Sequence, residues 1–464
     1  MTAGIVIPEF MAERPKPGPA RPYNFPDFSE ERLANGARLV VAPVHSLPIV
    51  SVLVLLEAGS SADPRGQEGV ARLTAALLSE GTATMDGAEL TDSFERIGAA
   101  LDAYADWDAT IAKVTMLAPR LPEALQLLSE VILTPSFAER EVERLRAERL
   151  SEILQQRMEP RGLADEMFDR LIYDPASRYA LPSGGNERSV GALTREAIVA
   201  FHASRYGASS ATIVVVGDVT RDSARSLVEK AFGSWTGGTA NPPHVDAAPA
   251  RRERMTHLVA RTDAQQAELR LGHVGIPRLH DDYFPVTVMN AILGGLFNSR
   301  LNLNLREKHG YTYGAHSSFD WRRFAGPFVV GAAVQSDVAA AAVREALGEL
   351  ERFAEREVSA AELRLALDYL EGVFPLRFET TGAIAGALAG KVMYGLPDDY
   401  YDTYRSQVRA VTAADVQRVA QEQLRMDELQ LVVVGDPAVV AGPIGELGLG
   451  AMRSYDTEGR RTDS

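Results

Sequence analysis

Hydrophobic positions recur along the chain in two rhythms. TIAKVTMLAP (110–119) alternates apolar and polar residues, the period of a strand with one buried face. ARLVVAPV (37–44) and PIVSVLVLLEAG (48–59) are denser apolar runs that read as a strand pair. AQQAELRLGHVGIP (264–277) and PFVVGAAVQ (327–335) read as two more strands, separated by a helical region from Tyr283 to about Lys308. EREVERLRAERLSEILQQ (139–156) predicts a long helix, and further helices are expected from Val338 onward.

The strongest signal is internal. LTREAIVAFHASRYGASSATIVVVGD (193–218) aligns without a gap with VTAADVQRVAQEQLRMDELQLVVVGD (411–436). Each unit reads as a Thr-capped helix, with Thr194 or Thr412 as the cap, then a turn and a buried Val-rich strand. Two copies this far apart imply a duplicated domain. The Gly- and Pro-rich stretch 236–250 has linker composition. The expected organisation is a disordered or appended leader over 1–23, an N-terminal domain over 24–235, the linker, a C-terminal domain over 251–440 and a tail over 441–464. The expected fold class is α+β: two homologous domains, each a mostly antiparallel β-sheet packed with α-helices.

Composition narrows the chemistry. With 48 basic and 63 acidic residues among 464, the net charge of −15 repels phosphate backbones, so nucleic acid is not expected as a partner. The absence of cysteine removes disulfides, thiolate zinc clusters and thiol nucleophiles, leaving His, Asp and Glu as metal ligands. None of the eight histidines forms a His-x-His or His-x-x-x-His pair, and the dense cluster His280-Asp281-Asp282 reads as a polar turn after Pro277. No run of about 18 apolar residues predicts a membrane span. The cytoplasm is the expected compartment, with the periplasm as the alternative.

LLEAGSSADP followed by GVARLTAALLSEGT (69–82), the Ser183-Gly184-Gly185 loop, the paired VVVGD strands and LNLNLREKHGYTYGAHSSF (301–319) occur together in one order. In these residues the chain resembles the insulinase, pitrilysin and mitochondrial-processing-peptidase family, the inverted zincins, over nearly all of 24–440. The resemblance implies that peptide-cleaving members carry His-x-x-Glu-His where this chain has Arg72-Leu73-Thr74-Ala75-Ala76. On a helix those two imidazoles share one face and bind zinc, and the Glu polarises the attacking water. Arg72 offers only donors and repels a cation, while Ala75 and Ala76 offer nothing. The family's third ligand matches Glu152. The zinc site is therefore expected to be degenerate, with no metal in this chain. Arg72 and Glu152 are expected to face each other there in a salt bridge, which would stabilise little if exposed, whereas removing one partner of a buried pair costs roughly 3–5 kcal/mol.

The resemblance further implies that an Arg and a Tyr seven residues later, in the second domain, contact substrate near the scissile carbonyl. They match Arg306 and Tyr313, a charged fork and a phenolic donor suited to developing negative charge. Local sequence equally allows Arg306 in a last helical turn, Gly310 as its cap and Tyr313 opening a strand. The implied function is a non-catalytic subunit of a heterodimeric zinc peptidase. Its expected partners are a homologous zinc-bearing subunit and unfolded peptides. The alternatives are a structural or assembly subunit and a peptide-binding homodimer.

Overall fold

The computed structural model describes residues 22–238 and 243–462. Nearly all of the expected leader, and 239–242 of the expected linker, lie outside them.

Two six-stranded mixed sheets, each packed with helices, make up the fold. The first contains β1 (Ser29–Arg32), β2 (Arg38–Pro43), β3 (Ile49–Leu56), β4 (Leu101–Ala105), β5 (Thr110–Leu117) and β6 (Ala211–Gly217), in the order β1-β2-β6-β3-β5-β4. The second contains β7 (Met255–Ala260), β8 (Gln266–Val274), β9 (Thr312–Phe319), β10 (Pro327–Gln335), β11 (Gln430–Gly435) and β12 (Ala451–Tyr455), in the order β12-β7-β11-β8-β10-β9. β6 runs parallel to β2 and antiparallel to β3, and β11 runs parallel to β7 and antiparallel to β8. The repeated unit thus occupies the same slot in both sheets.

That slot corrects one expectation. β2 and β3 are not paired with each other, because β6 lies between them and takes the hydrogen bonds of both. A second correction concerns 441–464, expected as a tail. Residues 451–455 form β12, which closes the outer edge of the second sheet parallel to β7. In the first sheet that edge is closed instead by β1, antiparallel to β2.

Six helices position the features below: α1 (Val70–Ala76), α2 (Glu139–Met158), α3 (Pro160–Ile172), α4 (Arg195–Arg205), α5 (Thr381–Tyr394) and α6 (Ala413–Gln423). The caps read from the repeat are formed. Thr194 accepts from Ala197 N–H ahead of α4, and Thr412 makes a reciprocal box with Asp415 ahead of α6.

The Val runs in β6 and β11 are continuous because both sheet faces are buried. Ile213 and Val215 pack into the core of the first half, while Val214 and Val216 point to the opposite face. That opposite face is covered by Ile384, Ala385, Leu388 and Ala389 of α5, a helix from the second half. The exchange is reciprocal. Leu163, Met167 and Phe168 of α3, from the first half, cover Val432 and Val434 of β11. Polar contacts hold the exchanged helices in place: a Ser51–Thr381 hydroxyl pair at 2.8 Å, and Arg270 Nε donating to Asp165 at 2.6 Å.

Candidate functional site: the Arg72 helix and an exposed Arg and Tyr

The loop ahead of α1 is locked before any site chemistry begins. Asp63, fully buried, accepts from Gly69 N–H at 2.7 Å and Ala71 N–H at 2.9 Å, satisfying donors at the start of α1 that have no partner within the helix. Arg178 donates to Asp63 at 2.8 Å and to the carbonyls of Leu181, Pro182 and Ser183, tying in the Ser183-Gly184-Gly185 loop. The glycines there are required by contact. Gly69 has φ +100°, and a Cβ on Gly185 (φ +73°) would sit 2.1 Å from Glu68 O. Sequence reasoning missed this clamp. Its one local signal was Asp63-Pro64, a turn dipeptide.

α1 presents its expected positions unequally. Arg72 is exposed, Ala75 is completely buried and Ala76 is half-buried. Glu152 of α2 lies opposite Arg72, whose Nη2 is 3.4 Å from its Oε2. Arg149, one turn earlier on α2, donates to the same oxygen at 2.8 Å and to Gly184 O at 3.0 Å. Partial burial, then the Arg149 charge, lower the Arg72 pKa, and Glu152 opposes them. The structure therefore brings Arg72 and Glu152 together as expected, but their side chains are 49% and 45% exposed and Glu152 is shared. At that exposure the pair stabilises little.

Zinc is the metal the resemblance implies for this helix, and the residues present do not fit it. They offer one carboxylate already engaged by two guanidinium groups, no imidazole, and a cation where a ligand would stand. Among the described residues no cluster of three His, Asp or Glu side chains is placed to hold a metal. The His280 turn is structural: His280 Nδ1 accepts from Asp282 N–H, and Asp282 pairs with Arg418.

On the second half, Leu303–Lys308 forms wide π-helical turns, and Gly310 (φ +66°) closes them by donating to Arg306 O at 3.0 Å. β9 then begins at Thr312. Arg306 lies over the Phe297 ring at 4.8 Å, and among the described residues its ion-pair neighbour is Glu307 at 3.5 Å. Tyr313 is 93% exposed. Asn304, buried two residues before Arg306, donates to Glu345 at 3.1 Å and to Glu349 at 2.5 Å, which anchors the turn to the helix behind it.

Residues 39–178 match the family model described as insulinase (peptidase family M16), and residues 192–370 match the one described as peptidase M16 inactive domain. The chain belongs to the M16 peptidase family. Among M16 relatives, an uncharacterised zinc protease of Mycobacterium tuberculosis is 27% identical over 88% of this chain and 94% of its own length. YmxG of Bacillus subtilis, also named an uncharacterised zinc protease, is 24% identical over 75% and 84%. The crystal structure of a peptidase M16 inactive domain from Pseudomonas fluorescens superposes with a TM-score of 0.81 at 27% identity, covering 88% of this chain and 98% of that one. A protease from Helicobacter pylori shares the fold with a TM-score of 0.82 at 22% identity, covering 88% and 100%. No helix among the described residues is long and apolar enough to cross a membrane.

Proposed function

We propose that this chain is the zinc-free, non-catalytic subunit of a heterodimeric M16 peptidase, and that it lends Arg306 and Tyr313 to peptide bound at a zinc-bearing partner. The observation that carries the reading is a contrast between the two halves. On α1 the ligand positions hold a guanidinium and two methyl groups, one of them buried. On the second half Arg306 and Tyr313 stand at the surface, and neither is consumed by a structural ion pair across the fold.

An arginine fork and a phenol at such a place bind a peptide carbonyl and the negative charge that develops on its oxygen. The Phe297 ring holds the guanidinium by cation–π contact without neutralising it. Unfolded peptide fits the partner's role as substrate, because a strand added to a sheet edge is recognised through its backbone and tolerates varied sequence.

The test is co-purification with a homologue that carries His-x-x-Glu-His, followed by assay of a quenched peptide. Arg306→Ala or Tyr313→Phe should leave assembly intact and lower kcat by about 10²–10³. Metal analysis of this chain alone should find no zinc. Full activity of both variants in an intact heterodimer, or zinc lost from the isolated chain on Glu152→Ala, would refute the reading.

A further inference from the structure

A notch beside Tyr313 has a role the proposed function does not yet assign. It lies at the edge of the second sheet, where β9 has no neighbouring strand on its outer side among the described residues, and measures about 220 Å³. Its floor is almost bare. Across β8, β10 and β9 the residues Arg270, Gly331 and His316 stand in one row. Gly331 has no side chain, and a Cβ there would meet the His316 ring at 2.7 Å. The imidazole therefore lies over the glycine, towards Arg270. Arg161, in the first turn of the exchanged helix α3, forms the opposite wall.

The charges in this notch are not used equally. Arg270 is buried, and its guanidinium is taken by Asp165 at 2.6 Å and Glu268 at 2.8 Å. Among the described residues Arg161 and His316 have no hydrogen-bond or ion-pair partner. Burial, then Arg270 and Arg161, hold the His316 pKa below its usual value, against Asp165 and Glu268. His316 thus offers a ring nitrogen beside an unpaired cation.

The duplicated half supplies an internal comparison. The corresponding notch, at the β4 edge and the start of α5, is lined by Asp102 and Lys113. Those two pair with each other at 3.0 Å, so no charge there is left for a ligand.

We propose that the β9 notch is a subsite for a carboxylate of an extended peptide laid along β9, with Arg161 as its ion-pair partner and His316 as a second donor. The proposal rests on the peptide-handling reading above and names a side-chain class for it. A strand added at the β9 edge directs every second side chain to the face that carries the notch. A lone arginine at the start of a helix, where the helix dipole also favours negative charge, selects an acid over the isosteric amide. The acid can be an aspartate or glutamate side chain or the peptide's own C-terminus.

The experiment uses the full chain and fluorescent, N-acetylated ten-residue peptides that differ only by Glu or Gln at one scanned position. Each is made as the C-terminal amide and as the free acid, and binding is followed by anisotropy. A Glu peptide should bind about tenfold tighter than its Gln twin, the gain of one charge-assisted hydrogen bond. Arg161→Ala should bring the twins to the same affinity, and the Glu peptide should raise the NMR titration midpoint of His316. A preference that follows the free C-terminus instead assigns the notch to a terminal carboxylate. Equal binding of both twins to the parent, or a Glu preference that survives Arg161→Ala, overturns the subsite while leaving the peptide-handling reading intact. Failure of every peptide to bind overturns the subsite, whereas the peptide-handling reading stands or falls on the heterodimer assay.

Discussion

Arg72 reaches across from α1 to Glu152 at 3.4 Å, but Glu152 makes its shorter contact, 2.8 Å, with Arg149 on its own helix. The Arg72 cation sits in a loose, shared and half-exposed pair. Solvent screening leaves such pairs worth about 0–1 kcal/mol. Arg72→Ala should therefore shift the urea midpoint only slightly, since Arg149 still holds Glu152. A loss of several kcal/mol would show that the pair is buried in solution.

Asp63 should behave in the opposite way. Its fully buried carboxylate serves two N–H groups of the α1 entry and the Arg178 guanidinium. Asp63→Ala strands a poorly exposed cation and two donors, a loss of roughly 3–5 kcal/mol. Urea unfolding of Asp63→Ala, Arg178→Ala and the double variant should give strongly non-additive losses.

The geometry of α1 and α2 also predicts how a zinc site could be built. Residues 72 and 76 are one helical turn apart, and Glu152 already faces residue 72. Arg72→His with Ala76→His should, with Glu152, supply three ligands, and zinc should raise Tm with the logarithm of its excess over Kd. Adding Glu152→Ala should abolish that rise. Hydrolysis would further need Ala75→Glu, which forces a carboxylate into a position with no exposure, so that variant should be the least stable of the series.

Acid sensitivity should reside partly in His257. This buried imidazole of β7 bonds to Gln430 of β11 at 3.1 Å and to Tyr455 of β12 at 3.2 Å. Burial, reinforced by Arg251 and Arg453, lowers its pKa to about 4 against a Gln430 hydrogen bond that raises it. The fold keeps it neutral, whereas the unfolded chain protonates it below its ordinary value of about 6.5. Its contribution is therefore complete above pH 6.5 and is lost as pH falls towards 4, on the order of 2–3 kcal/mol. Asp169, raised to about 6 by burial, titrates with the opposite sign in the same window. The test is thus a difference: urea stability of His257→Gln should fall less between pH 7 and pH 5 than that of the parent.

The repeated helix and strand were legible in sequence because their signals are local. Thr194 and Thr412 sit at helix starts, and runs of Val require burial on both sides. What covers those Val residues was not legible. Nothing near β6 marks Leu388 as its neighbour, since that contact depends on how the two halves come together. β12 was missed for a related reason. AMRSY has no clear alternation, and its place follows from the open edge of β7. At the site, the absence of imidazoles on α1 could be read directly, and so could the i, i+3 spacing of Arg149 and Glu152 on the predicted helix, whereas the Asp63–Arg178 clamp joins segments distant in the chain.

The exchanged helices have a consequence for synthesis. When β6 has left the ribosome the first sheet can form, yet α5, which covers Val214 and Val216, begins roughly 160 residues later. At ~5–20 residues per second that is a wait of roughly 8–30 s with an apolar sheet face open to water. The nascent first half is thus a client for chaperones until α5 arrives, and translation speed between the two halves becomes a determinant of yield.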